Sequence, residues 1–172
     1  LKIFYRDKDK QDRIKVGRSV NILNSLDKKD IIWIDLLDVS DKTEGVLEDF
    51  LKIDIQEDEE MEEIEMSSRY IQTDDSIVAN SNFLRDNFEV EPVNFILKNS
   101  ILVTTRDVEL ASFNETVKKM LMNTRNFPTG YHVLVSLMET RVERDADMIE
   151  DTTDLITKLS GEINAKDHVD EE

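Results

Sequence analysis

Ile31-Ile32-Trp33-Ile34-Asp35-Leu36 carries a single charge along its length. A continuous apolar run of this kind reads as a strand buried on both faces, typical of a sheet covered by helices. The flanking residues agree with that reading. Ser40 stands where an N-cap belongs, Asp41 and Glu44 sit in the first turn where acids complement the helix dipole, and Val46, Leu47, Phe50 and Leu51 recur at helical spacing. This predicts a helix from about Ser40 to Lys52. On the other side, Lys2–Tyr5 and Ile14–Val20 are short β-branched or aromatic segments around the charged stretch Arg6–Arg13, which predicts a hairpin.

Further along, Ser67–Gln72 and Ile77–Leu84 flank the turn-prone Thr73-Asp74-Asp75-Ser76, and Pro92–Leu97 and Ile101–Thr105 flank Lys98-Asn99-Ser100, so two more hairpins are expected. Phe113, Val117, Met120 and Leu121 mark another helix, ended by Asn126-Phe127-Pro128. From Gly130 to about Ala165 only Gly161 interrupts a helical pattern, striped by Leu134, Leu137, Met138, Val142, Met148, Ile149, Leu155, Ile156, Leu159 and Ile163. At 1.5 Å per residue that is a rod of about 50 Å, longer than a domain of this size is wide. Its outer end is expected to find its cover in more chain or in a partner subunit. The expected fold is α/β: a mixed β-sheet with helices packed on it, followed by a long C-terminal helix. Residues 1–128 form the α/β domain, 129–165 the start of the long helix and 166–172 an acidic tail.

The chain has 172 residues, with Lys+Arg 22 against Asp+Glu 39, a formal net charge of −17. Such a surface repels a phosphate backbone and excludes general nucleic-acid binding. The length fits one domain able to bury roughly 70% of its unfolded surface. Cysteine is absent, which excludes disulfides, thiolate zinc sites and cysteine nucleophiles and fits a reducing compartment. The longest apolar stretches, Ile31–Ile34 and Val133–Met138, fall far short of the roughly 18 residues a membrane helix needs, and a soluble chain without a leader is expected.

Little in the sequence points to catalysis. His132 and His168 are the two histidines, too far apart for a local metal pair, and neither a Gly-x-Ser-x-Gly elbow nor a Gly-rich phosphate loop occurs. Trp33 reads as a core anchor and the six methionines as core filler. Carboxylates are the one chemical group in excess. Asp54–Glu65 leaves only Ile55, Gln56, Met61 and Ile64 uncharged, and Glu143, Asp145, Asp147, Glu150, Asp151 and Asp154 line the rod. Such acids are hard oxygen donors suited to Mg²⁺ or Ca²⁺, although an acid run is more often a solvated face.

Several strings taken together resemble one family. They are Trp33-Ile34-Asp35-Leu36, Phe50-Leu51-x-Ile53, Glu59-Glu60-Met61-Glu62-Glu63-Ile64-Glu65 followed by Ser67-Ser68-Arg69-Tyr70, Val93-Asn94-Phe95-Ile96-Leu97 before Leu102-Val103-Thr104-Thr105, and the Leu134–Glu143 start of the long helix. In order and spacing they are similar to the cytoplasmic domain of CorA-type magnesium and cobalt transport proteins, a superfamily that includes the ZntB zinc transporters. The resemblance implies a homopentamer in which this domain sits on a long stalk helix running on into two membrane spans. The family's Gly-Met-Asn pore signature and both spans are missing here, so an excised domain on the cytoplasmic side is expected.

The resemblance also implies regulatory divalent ions, Mg²⁺ or Co²⁺, held weakly between subunits by acids of the globular domain and of a neighbour's stalk. By position the globular pair matches Glu59 and Glu60, and the stalk acid matches Glu139, with Glu143 one turn on. The His-Pro that some members carry before the pair is absent, and a further stalk acid lies beyond Glu172, so a half-built site is expected. The implied function is ion sensing for a divalent-cation channel, without enzymatic activity. Alternatives are a ZntB-like zinc transporter domain, an acidic adaptor pairing through its rod, and, last, a metal-assisted hydrolase using Glu59, Glu60 and Glu139.

Overall fold

The apolar run is an inner strand of a seven-stranded sheet. The computed structural model describes residues 1–9, 13–55, 70–72 and 75–167. Its strands are β1 (Lys2–Arg6), β2 (Ile14–Gly17), β3 (Ile31–Leu37), β4 (Tyr70–Gln72), β5 (Ser76–Leu84), β6 (Val90–Lys98) and β7 (Ile101–Arg106), in the order β2-β1-β3-β7-β6-β5-β4. β3 and β7 run parallel, with Trp33 opposite Leu102 and Ile34 opposite Val103, and the other pairs are antiparallel. The sheet is therefore mixed, as the order of strands and helices predicts.

Among the described residues three α-helices cover it: α1 (Asp41–Leu51), α2 (Ala111–Met122) and α3 (Gly130–Asp167). On one face Phe4, Trp33, Phe95 and Leu102 pack with Phe113 and Met120 of α2 and Val133 and Leu137 of α3. On the other, Ile3, Ile34, Leu36 and Val103 pack with Leu47 and Leu51 of α1. β3 contributes to both cores, which is why its sequence is apolar without alternation. Trp33 is fully buried and stacks on Phe4 at 4.8 Å between ring centroids, in the anchoring role read from its strand.

α1 follows Ser40 and closes at Lys52, whose φ of 59° is the left-handed conformation that ends many helices. Asn99 and Ser100 both take positive φ, 50° and 68°, forming the two-residue turn whose twist matches β6 and β7. Several local readings differ: α2 ends at Met122, where the Asn123 N–H donates to the Lys119 carbonyl, short of Asn126-Phe127-Pro128, and Val46 of the α1 stripe is exposed. The β2 segment ends at Gly17, because Ser19 accepts a bond from the Asn21 N–H and caps a 3₁₀ helix over Val20–Ser25. Leu121, grouped with the buried stripe of α2, is exposed, since the contact made by Phe113 and Met120 places it on the outer side.

Candidate functional site

α3 begins where the core ends. The Gly130 N–H donates to the Ser100 carbonyl at 2.7 Å, tying the first turn of α3 to the β6–β7 turn. Val133 and Leu137 are fully buried, and Leu134 and Met138 pack against them. At 3.6 residues per turn this leaves Glu139 and Glu143, one turn apart, on the solvent side, where both are exposed. Glu59 and Glu60, the other two acids of the expected site, lie outside the described residues, as does His168.

A second element meets these acids. Lys119, near the end of α2, donates from Nζ to Thr140 Oγ1 at 2.9 Å and lies 3.2 Å from Glu143 Oε2. Thr140 is fully buried between the helices and is 3.5 Å from Thr116 Oγ1. Beside this contact an open cavity of about 600 Å³ is lined by Lys119, Met122, Tyr131, Val135 and Glu139 among others. His132 is exposed there, with Nδ1 3.0 Å from Thr129 Oγ1, a local turn contact and not a ligand constellation. Sequence reading did not single out Lys119. A helical lysine is ordinarily solvated, and only the packing of α2 on α3 brings it to Glu143.

Among the described residues no group of three or more His, Cys, Asp or Glu side chains is placed to hold a metal ion. Glu139 and Glu143 supply two carboxylates, one already paired with an ammonium. Magnesium commonly takes one or two carboxylates and keeps waters for the rest. The described residues therefore bring two carboxylates to one face of α3 and hold no complete set of metal ligands.

Contact between α3 and the domain ends with two arginines. Arg141 donates from Nη1 to Ser81 Oγ at 2.7 Å and lies over the Phe83 ring, 5.3 Å from its centroid. Arg144 bridges Glu115 of α2 at 2.6 Å and Asp86 at 2.5 Å. Burial opposes the Arg144 charge, but those two carboxylates outweigh it and hold the guanidinium protonated above its ordinary range. Beyond this point α3 has no core under it. Val135, Val142, Ile149, Ile156 and Ile163 are 56–68% exposed and fall seven residues apart. These β-branched residues recur at one heptad position, while the position three residues on carries Met138, Asp145, Thr152, Leu159 and Lys166, so the stripe supplies one of the two apolar rows that a left-handed helix pair uses. The acids Asp147, Glu150, Asp151 and Asp154 occupy the remaining surface and are exposed. Among the described residues no helix is long and apolar enough to cross a membrane.

Residues 28–171 match the family described as CorA-like Mg2+ transporter protein. The chain belongs to this family. Curated relatives agree: the magnesium transport protein CorA of Wolinella succinogenes is 38% identical over 130 residues, covering 71% of this chain and 40% of that protein. The CorA of Salmonella typhimurium is 27% identical over 166 residues, covering 93% of this chain and 50% of that protein. The chain thus spans half or less of the length of these CorA proteins. Two solved structures share the fold: full-length CmaX at a TM-score of 0.71 and 10% identity, and the complete CorA magnesium transporter of Methanocaldococcus jannaschii at 0.58 and 14%. They cover 93% and 94% of this chain and 50% and 51% of their own chains. The mixed sheet with a long C-terminal helix is accordingly the fold of a CorA-like domain.

Proposed function

We propose that this chain is the cytosolic, ion-sensing part of a CorA-like divalent-cation channel for magnesium or cobalt. The observation that carries the reading is the family match over residues 28–171, combined with an α3 that leaves its own core bearing acids and an uncovered apolar stripe. Such a helix suits a domain joined to more protein: a homo-oligomer, a pentamer in the full-length protein, anchored in the cell membrane. Glu59, Glu60, Glu139 and Glu143 are the acids we assign to a weak regulatory site shared between subunits. Bound Mg²⁺ or Co²⁺ neutralises them and favours the closed arrangement, and loss of the ion lets like charges loosen it. That is a population shift, and it requires the ion to bind the closed arrangement better than the open one.

A bound ion stabilises the folded chain by about 1.4 kcal/mol at tenfold its dissociation constant, roughly 3–6 °C in melting temperature for a domain of this size. Because a charge of −17 responds to any salt, the comparison is made against NaCl at matched ionic strength. Millimolar Mg²⁺ or Co²⁺ is expected to raise the melting temperature beyond NaCl, and Glu60→Gln or Glu139→Gln is expected to remove the excess. An excess that is absent, or that survives both substitutions, rejects the site.

The heptad stripe favours one competing reading, an acidic adaptor that pairs through α3. The two readings differ in assembly. For the channel domain, the −17 charge opposes association at low salt. Sedimentation at micromolar concentration is then expected to find a monomer or weak oligomer that associates further with salt or divalent ions, with Ile149→Ser and Ile156→Ser weakening that association. A tight, salt-independent dimer through α3 supports the adaptor, and a tight, salt-independent pentamer contradicts the expectation for the isolated domain.

A further inference from the structure

The half-built character of the acid pair on α3 has a partner in the structure. Glu139 and Glu143 stand one helical turn apart, close enough for neighbouring carboxylates to act on one cation. The cation beside them is a side chain. Lys119 Nζ is 3.2 Å from Glu143 Oε2, lines the same cavity as Glu139, and is oriented by its 2.9 Å bond to the buried Thr140 hydroxyl. Thr140 is buried in the helix contact, so this bond places the ammonium at the α2–α3 junction.

From this we infer that Lys119 is a built-in counter-cation, which competes with divalent ions for Glu143 and Glu139 and sets how weakly they bind. The inference rests on the proposed ion-sensing role of those two acids and names what tunes it. An ion entering the pair must either displace the ammonium or accept its repulsion. With Lys119 tied to α2 and both acids on α3, displacement also releases one of the contacts joining the two helices. Ion occupancy is thereby coupled to the α2–α3 contact.

The magnitude follows from exposure. The Lys119 and Glu143 side chains are 45% and 66% exposed, so the water-like limit applies, in which unit charges about 4 Å apart exchange about 1 kcal/mol. A divalent ion doubles that and salt screening reduces it, leaving about a fivefold change in affinity.

The experiment is titration of the whole 172-residue chain with MgCl₂ at constant ionic strength, read by calorimetry. It compares wild type with Lys119→Gln, Lys119→Met and Lys118→Gln. Lys118 is the exposed neighbour, so Lys118→Gln removes the same charge without the Thr140 and Glu143 contacts. Lys119→Met keeps the packing of the stem should Lys119→Gln disturb it. Both Lys119 variants are expected to bind Mg²⁺ about fivefold tighter than Lys118→Gln, and Glu139→Gln added to them is expected to abolish the gain. In the wild type, the Lys119 side-chain ¹⁵N resonance is expected to move with Mg²⁺ more than that of Lys118. Lys119 variants that bind no better than Lys118→Gln, or that show no measurable binding, overturn the inference. If they bind no better while Glu139→Gln still weakens binding in the wild type, the acid site stands and only the role of Lys119 falls. If Glu139→Gln and Glu143→Gln alter binding in no background, the site itself falls and takes the inference with it.

Discussion

Asp35→Ala is expected to cost about 3–5 kcal/mol of folding stability, the amount typical of breaking a buried ion pair from one side. The Asp35 and Arg106 side chains are 1% and 0% exposed. Arg106 grips the carboxylate with two nitrogens, Nη2 to Oδ2 at 2.8 Å and Nε to Oδ1 at 3.2 Å, and Nη1 donates to the Val108 carbonyl. Thr104 donates to Asp35 Oδ1 at 3.0 Å and in turn accepts from Trp33 Nε1 at 3.0 Å, so the chain of bonds links β3 to β7. The guanidinium also lies over Phe113 of α2, 4.4 Å from its centroid. Removing the carboxylate leaves a buried guanidinium with only the Val108 carbonyl and the half-exposed Glu109 carboxylate, 3.6 Å from Nη1, to offset its charge. Replacing both partners by apolar groups leaves no buried charge, only the Thr104 hydroxyl and the Val108 carbonyl without their partners, so Asp35→Leu with Arg106→Met is expected to recover much of the loss. Urea unfolding of the single and double variants checks this. A single-variant cost under about 1 kcal/mol, or a double variant as unstable as the single, means that the pair is not isolated from solvent as described.

Gly130→Ala is the second substitution expected to do large damage, although it places the best helix former at the start of a helix. A Cβ at residue 130 would meet the Leu102 backbone nitrogen in hard overlap and lie 2.9 Å from both the Ile101 carbonyl carbon and the Ile32 oxygen. These are backbone atoms of β7 and β3 and cannot swing aside, so α3 must lift off the sheet and lose its Ser100 bond. The expected loss is about 3 kcal/mol, the upper end for overpacking. Gly45 in α1 provides the opposite sign from the same exchange. Nothing lies within 4 Å of a Cβ there, and Gly45→Ala is expected to gain about 0.5–1 kcal/mol from helix propensity alone. Denaturation midpoints of the two variants moving in the same direction would contradict the argument. Because α3 carries Glu139 and Glu143, Gly130→Ala is also expected to disturb the contact with Lys119.

Periodicity and composition reach a long way in this chain because they record local conformation and burial. The apolar run Ile31–Leu36, interrupted only by Asp35, specifies an inner strand of a helix-covered sheet, Asn99 and Ser100 mark a tight turn, and the stripe from Leu134 to Ile163 lays out a helix longer than the domain beneath it. The strings running from Trp33 to Glu143 are enough to place the chain among CorA-like proteins, which the match over residues 28–171 bears out. The acids of the candidate site are legible as residues, since they stand in those strings. Their electrostatic surroundings are not. That β3 lies parallel to β7 and bonds Asp35 to Arg106, 71 residues later, is a matter of long-range pairing that no local pattern encodes. The same holds for Gly130, which looks like an ordinary helix start until the β3 and β7 backbones close around it. It holds for Lys119 as well, which meets Glu143 only because α2 packs on α3. A residue's own chemistry and spacing determine which element it joins and which face it presents. The charge, the backbone or the hydroxyl that it then meets comes from a distant part of the chain, and only the packing of the elements supplies it.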